Sequence, residues 1–357
     1  MDSLVLLTRS QRIESIHRGK ICISDASGRI VSNIGDPSGK VYMRSSAKPF
    51  QAVALVASRA MEKFNLSMEE LAIICSSHSG EDIHRRTVGS ILRKIGLTED
   101  ALACGACNPY NEEMNALLIQ RKEKPTPLYN CCSGKHAGML TLCKYYNFPI
   151  SNYTDVSHPV QQLILKVVAE LLSIEIHQII LGTDGCGVPN FMLSMEQGAF
   201  LYAQLAAGSN LPHAYADALE QIKTAMLSYP VMISGDHEFC TELVLHTKGK
   251  VIGKVGGEGI YCIAVPEMGL GILIKVDDGN ERAVYPIAVH LLRQLGILNC
   301  ELPEGLSPWA YPPVKDHKGK IVGYTLPVFD LHGRQLPKIA IGEEFLYEGE
   351  YIWNHWQ

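Results

Sequence analysis

The strand-like segments of this chain lie at its two ends, and the helical segments lie between them. Residues 1–9 read as a first strand, and 21–24 and 29–32 flank Asp25-Ala26-Ser27-Gly28, a hairpin signal. Far downstream, 251–254, 259–264 and 270–275 are three short apolar runs divided by Gly-, Pro- and Glu-containing turns. The stretch between them carries helical spacing. A helix is expected with Ser45 or Ser46 as its N-cap, and a short one after the capping box Ser67-Met68-Glu69-Glu70. Further helices are expected at 81–95, 134–146, 158–173, 191–207, 213–229 and 282–295, with one strand at 178–181. The apolar run 71–75 leads Ser77 into a loop, and the last forty residues are Pro-rich and loosely patterned. Strands need partners for their backbone groups, and here the two ends must supply them to each other. The expectation is an α+β fold, with a sheet built from N- and C-terminal strands and helices flanking it. No linker-like shift in composition and no internal repeat divides the chain, so 1–357 reads as one domain.

Composition narrows the partners. A formal net charge of −5 without a long basic run argues against nucleic acid and anionic membranes. No apolar stretch approaches the roughly 20 residues needed to span a bilayer. The N-terminal segment lacks a basic region and a small-residue cleavage site, which leads to the expectation of a cytoplasmic protein. The eleven cysteines are an odd number, which argues against a complete disulfide framework.

Three short motifs follow in order: Ser45-Ser46-Ala47-Lys48, Ser77-His78-Ser79 and Lys254-Val255-Gly256. A serine hydroxyl is a poor nucleophile until a base takes its proton. A lysine three residues later on a helix lies one turn away on the same face and can be that base if its amine is neutral. The order S-x-x-K, second serine, K-x-G occurs in penicillin-interacting serine enzymes. Each motif also has a plain structural reading: a helix cap with a solvated lysine, a polar loop, and an edge-strand lysine before a turn. For His78, a neighbour of Ser77 that points away from it, packing or a structural hydrogen bond is favoured.

A second group is Cys132-Ser133-Gly134-Lys135-His136 with Asp184-Gly185-Cys186-Gly187, two glycine-punctuated segments of the kind that build sites. A Cys/His/Asp set can bind zinc. Cys104-Gly105-Ala106-Cys107 could be half of a zinc ribbon, but Cys131-Cys132 is not its second half.

With these motifs in view, the chain resembles the Rhizobium etli-type L-asparaginases. The resemblance rests on Glu14-Ser15-Ile16-His17-Arg18-Gly19, Met43 to Lys48, Ser76 to Glu81, Cys132 to Met139, Asp184 to Pro189, Lys254 to Tyr261 and Lys275 to Gly279. It implies a fold similar to serine β-lactamases and glutaminases, a homodimer, and hydrolysis of L-asparagine to L-aspartate and ammonia. It implies two Ser–Lys pairs, Ser45 with Lys48 and Ser77 with Lys254, Lys275 being the alternative distal lysine. It implies a zinc ion (Zn2+) held by Cys132, Lys135 and Cys186, and substrate contacts from Arg44, His136 and Asp184. The chain departs from the family where Cys107 stands for a common His, Cys131 for Asn and Cys240 for Asp.

The expected chemistry is acyl transfer, with Ser45 as nucleophile, Lys48 as its base and Ser77–Lys254 relaying protons. A glutaminase or β-lactam-type hydrolase with the same motifs is the enzymatic alternative. A zinc-dependent structural or redox protein is the non-enzymatic one.

Overall fold

The structure is a computed structural model and describes residues 2–208, 211–332 and 341–342. The N-terminal strands are β1 (Asp2–Arg9), β2 (Arg12–Asp25), β3 (Ile30–Ile34) and β4 (Lys40–Tyr42). In the middle lie β5 (Ile180–Thr183) and β6 (Pro189–Ser194). The C-terminal strands are β7 (Ile252–Gly256), β8 (Ile260–Val265), β9 (Leu270–Val276), β10 (Pro313–Lys315) and β11 (Ile321–Pro327).

Eight of these strands form one sheet in the order β10-β11-β1-β2-β9-β8-β7, with β3 paired to the far half of β2. Every pairing in it is antiparallel. The fold is the expected α+β arrangement: β2 from one end of the chain lies against β9 from the other, Ile21 opposite Ile274 and Ile23 opposite Ile272. All four of these side chains are buried, because helices cover the sheet. The helix Met195–Ala207 packs on β2, β8 and β9, and the helix Glu281–Gln294 packs on β1, β9 and β11. Among the described residues no helix is long and apolar enough to cross a membrane.

A second, three-stranded sheet, β4-β6-β5, stands apart from the first. It corrects one expectation, a helix over 191–207. Phe191 stands opposite Leu181 of β5, Leu193 opposite Val41 of β4, and Met192 between Ile180 and Tyr42, all as part of β6, and the helix begins only after Ser194. The Ser194 side chain accepts from the Gln197 N–H and the Gln197 side chain accepts from the Ser194 N–H, a capping box that sets the start.

Two further differences bear on function. The run 71–75 is not a separate segment but the end of the helix Met68–Ile74, opened by the expected box between Ser67 and Glu70. Neither Ser45 nor Ser46 caps a helix. Residues Arg44–Ala47 form a 3₁₀ turn, Ser46 Oγ bonds back to the Met43 carbonyl at 2.6 Å, and the α-helix Lys48–Ala57 starts with Pro49 in its first turn. At the C-terminus, part of the segment expected to be loose forms β11 against β1. Its remainder, 333–340 and 343–357, lies outside the described residues.

Candidate active site

Five segments meet at one cavity of about 520 Å³. They are the turn Arg44–Ala47, the loop after the helix Met68–Ile74, the start of the helix Ser133–Tyr146, the β5–β6 turn and the end of β7. Glycines in the block Cys132 to Met139 allow the closest of these approaches. A Cβ on Gly134 would lie 2.1 Å from the Ile73 carbonyl oxygen, and one on Gly138 would lie 2.7 Å from Ile74 Cγ2. Backbone and side chain of the Met68–Ile74 helix therefore sit directly on the Ser133–Tyr146 helix, which brings Ser77 beside Cys131 and Cys132.

Ser77 is the centre of the constellation. Its Oγ lies 2.7 Å from Lys254 Nζ and 3.0 Å from Lys48 Nζ. Lys48 Nζ also donates to the Ser76 carbonyl at 2.6 Å and the Cys131 carbonyl at 3.2 Å. These three acceptors satisfy the amine, which is how a lysine 1% exposed can be buried. Lys254 is fully buried on β7 and has one further acceptor, the Val255 carbonyl at 2.9 Å. Burial, and then the charge of Lys48, pull its amine from the usual lysine value down to about 7. Near neutrality the Lys254 amine, which faces a serine hydroxyl, can therefore exchange a proton. Lys275, the alternative, instead donates to the carbonyls of Glu258 and Val276, away from Ser77.

Ser45 lines the same cavity. The Lys48 N–H bonds to the Ser45 carbonyl, but the Lys48 side chain turns to Ser76, Ser77 and Cys131. Both catalytic lysines expected from the sequence are therefore on Ser77, and neither is hydrogen-bonded to the Ser45 hydroxyl. The backbone distinguishes the two serines. The Ser77 N–H is taken by the Ile233 carbonyl at 2.9 Å, whereas the Ser45 N–H has no acceptor among the described residues.

The second group also assembles. The side-chain ligand atoms of Cys132, Asp184 and Cys186 all lie within 4.8 Å of one another. Lys135 Nζ lies 3.0 Å from Cys186 Sγ and 3.4 Å from an Asp184 oxygen. Hydrogen bonds first from Cys131 and then from Cys186 hold the Cys132 thiol well below its usual range. Cys186 moves up, chiefly through that same bond to Cys132. Burial would lower the Lys135 amine, but Cys132, Cys186 and Asp184 around it outweigh burial and hold it up. Two thiols and a carboxylate, with an amine beside them, are a donor set that fits zinc. Asp184 joins this cluster beside the expected Cys132, Lys135 and Cys186. The Cys104–Cys107 pair does not join it.

The small sheet positions the remaining groups. β4 leads into Arg44 and the β5–β6 turn carries Asp184, so Arg44 Nε meets Asp184 Oδ1 at 2.8 Å. Arg44 has a left-handed φ of 50°, fixed by its N–H bonding to Asn190 Oδ1 at 3.0 Å. Burial would raise the Asp184 carboxyl, but Lys135 and Arg44 lower it overall. His136 does not line the cavity. It is fully buried, its Nδ1 is 2.7 Å from the Tyr153 hydroxyl, and its Nε2 has no partner among the described residues. His78 is structural, as expected: Nε2 lies 2.8 Å from Ser133 Oγ and the ring stacks on His84.

Sequence reasoning did not find Asn130, Tyr110, Ser234, Glu238, Glu281 and Tyr285, which complete the cavity wall. They arrive from separate elements, and no local motif marks them. Burial, then Glu81 and Glu281, raises the Glu238 carboxyl, and burial with Glu258 raises Glu281.

No curated protein matches the chain. Among solved structures it is distantly similar to Mglu, at 12% identity over 78% of this chain and 67% of that one, with a TM-score of 0.37. A putative β-lactamase from Bacteroides dorei gives 11% identity over 77% and 93%, with a TM-score of 0.41. A Bacillus glutaminase gives 14% identity over 78% and 91%, with a TM-score of 0.36. The sequence profile of the L-asparaginase II family matches residues 5–327, nearly the whole described chain, and this protein therefore belongs to the L-asparaginase II family, an amidohydrolase family acting on small molecules.

Proposed function

We propose that the chain hydrolyses L-asparagine to L-aspartate and ammonia by acyl transfer through serine, as its resemblance to the Rhizobium etli-type L-asparaginases implies. One observation carries this reading: the Ser77 hydroxyl lies within hydrogen-bond distance of two buried lysine amines, 3.0 Å from Lys48 and 2.7 Å from Lys254. Lys48 donates to Ser77 Oγ, and Ser77 donates to Lys254. Lys254 draws the proton from Ser77 and Ser77 draws one from Ser45, whose oxygen attacks the amide carbon. The unengaged Ser45 N–H donates to the oxygen that becomes negative. The proton held on Lys254 returns through the same path to the leaving nitrogen, releasing ammonia. Water then uses the relay to release aspartate.

The direct contacts of Ser77 favour a second reading, in which Ser77 itself attacks. The cavity suits a zwitterionic amino-acid amide, because it presents the guanidinium of Arg44 and the carboxylates of Glu238 and Glu281 together. Cys132, Cys186, Asp184 and Lys135 would hold zinc, with Lys135 giving up its extra proton to do so. The ion would supply a Lewis-acidic anchor for a substrate oxygen. The same reading carries a homodimer, checked by light scattering, and a cytoplasmic location, checked by fractionation. Ammonia release from L-asparagine, L-glutamine and a chromogenic β-lactam tests the activity. Asparagine must be the preferred substrate, and preference for either of the others would replace it.

A further inference from the structure

Cys131 and Cys132 are adjacent in sequence, and their Sγ atoms lie 3.9 Å apart on the wall of the cavity. The turn that carries them is held from both sides. Asn130 Oδ1 accepts from the Cys132 N–H at 2.9 Å, and Asn130 Nδ2 donates to the carbonyls of Cys104 and Gly105 at 2.9 and 3.0 Å. The Cys131 carbonyl in turn accepts from Lys48 at 3.2 Å. Neither thiol is in a disulfide. Two sulfur bonds of about 2.3 Å, the length found to zinc, meeting near the tetrahedral angle put the sulfurs roughly 3.8 Å apart. The pair is therefore spaced for one soft atom without movement of its backbone. Cys131 stands outside the Cys132–Asp184–Cys186 cluster, and the hydrolytic chemistry makes no use of its thiol.

We propose that Cys131 and Cys132 form a dithiol binding site for trivalent arsenicals, soft thiophiles that take two sulfurs at once. An arsenic oxide group, R–As=O, reacts with the two thiols to give R–As(S)₂ and one water. Two As–S bonds form, both thiol protons leave with the oxygen, and no atom changes oxidation state. Cys131 is partly exposed on a cavity large enough to admit a small arsenical. Capture at this pair also removes Cys132 from the metal cluster, so the two ligands exclude each other. Cys107, another thiol on the same wall, is the control.

The test treats the reduced full-length protein, as purified and after chelation, with phenylarsine oxide and maps the adduct by mass spectrometry. The segment between Lys122 and Lys135 contains only Cys131 and Cys132 as thiols, so a bridged pair falls within one peptide. The expected result is one phenylarsine per chain on that peptide after chelation, stable to a monothiol, removed by a dithiol, and suppressed by metal loading. Cys131→Ser loses it and Cys107→Ser keeps it. An adduct that joins Cys132 to Cys186, one that persists in Cys131→Ser, or none on the chelated wild type overturns the proposal. None of these outcomes depends on hydrolysis of asparagine, so the activity reading stands or falls separately.

Discussion

Ser77 Oγ lies 2.7 Å from Lys254 Nζ, across 177 positions of sequence, and the amine it meets titrates near neutrality. Activity should therefore rise with pH through about 7, as Lys254 loses its proton and becomes able to accept one from Ser77. Stability should follow the same group. Its folded value lies below the roughly 10.4 of an unfolded lysine, so the unfolded chain binds the extra proton between these limits. The destabilisation from burying this amine is full below about pH 7 and fades as pH rises. A pH–rate profile falling on the alkaline side of 6 would remove Lys254 as the base.

Lys254→Met should lower kcat by about 10²–10⁴, the usual contribution of a positioned base, with Lys275→Met much nearer wild type. The distinction rests on Lys275 bonding the Glu258 and Val276 carbonyls instead of a serine. Equal losses in the two variants, measured on folded protein, would contradict it.

The approach of the Met68–Ile74 and Ser133–Tyr146 helices should be intolerant of a single methyl. Gly134→Ala would place a Cβ 2.1 Å from the Ile73 carbonyl oxygen, so the helices must part. A loss of about 1–3 kcal/mol in denaturant unfolding is expected, as for other overpacked sites. Activity should fall as well, because the same contact brings Ser77 beside Cys131 and Cys132.

These glycines show what the sequence made legible and what it hid. The S-x-x-K, Ser77 and Lys254 motifs do converge, and Cys132, Lys135 and Cys186 do meet, because each motif is short and rigidly placed by its own element. The pairing within the convergence was not legible. An i,i+3 spacing puts Lys48 one turn from Ser45 on an ideal helix, but Arg44–Ala47 is a 3₁₀ turn and three acceptors draw the lysine inward. The same limit applies to the fold. The short apolar strands at both ends were readable from the turns that bound them, whereas β6 was masked by the helix that follows it directly, with only the capping box at Ser194 to mark the boundary. Glu238, just before the helix Phe239–His246, and Glu281, on the helix Glu281–Gln294, reach the cavity from separate parts of the chain, which no local pattern can announce.

Glu238→Gln should raise KM for L-asparagine by about 10–100-fold with a smaller effect on kcat, the equivalent of one charge-assisted hydrogen bond to the substrate ammonium. An analogue lacking the α-amino group should be insensitive to the change. Equal effects on both substrates would assign Glu238 a structural role.

Cys186→Ser should abolish stoichiometric zinc in metal analysis of chelator-free protein, since it takes one of two thiols from the cluster with Cys132 and Asp184. If zinc anchors substrate, KM should rise more than kcat falls. Wild-type protein purified without chelator and free of zinc would remove the ion from the account.

Covalent capture of the substrate by serine is the central claim, and rapid acid quenching of enzyme turning over L-asparagine tests it most directly. Mass spectrometry of the quenched protein should show one added aspartyl group, located on the peptide carrying Ser45 and absent in Ser45→Ala. An aspartyl group on the Ser77 peptide would transfer the nucleophile to Ser77 while keeping acyl transfer. Turnover with no aspartyl group on either serine, even when hydroxylamine fails to trap an acyl species, would contradict the account.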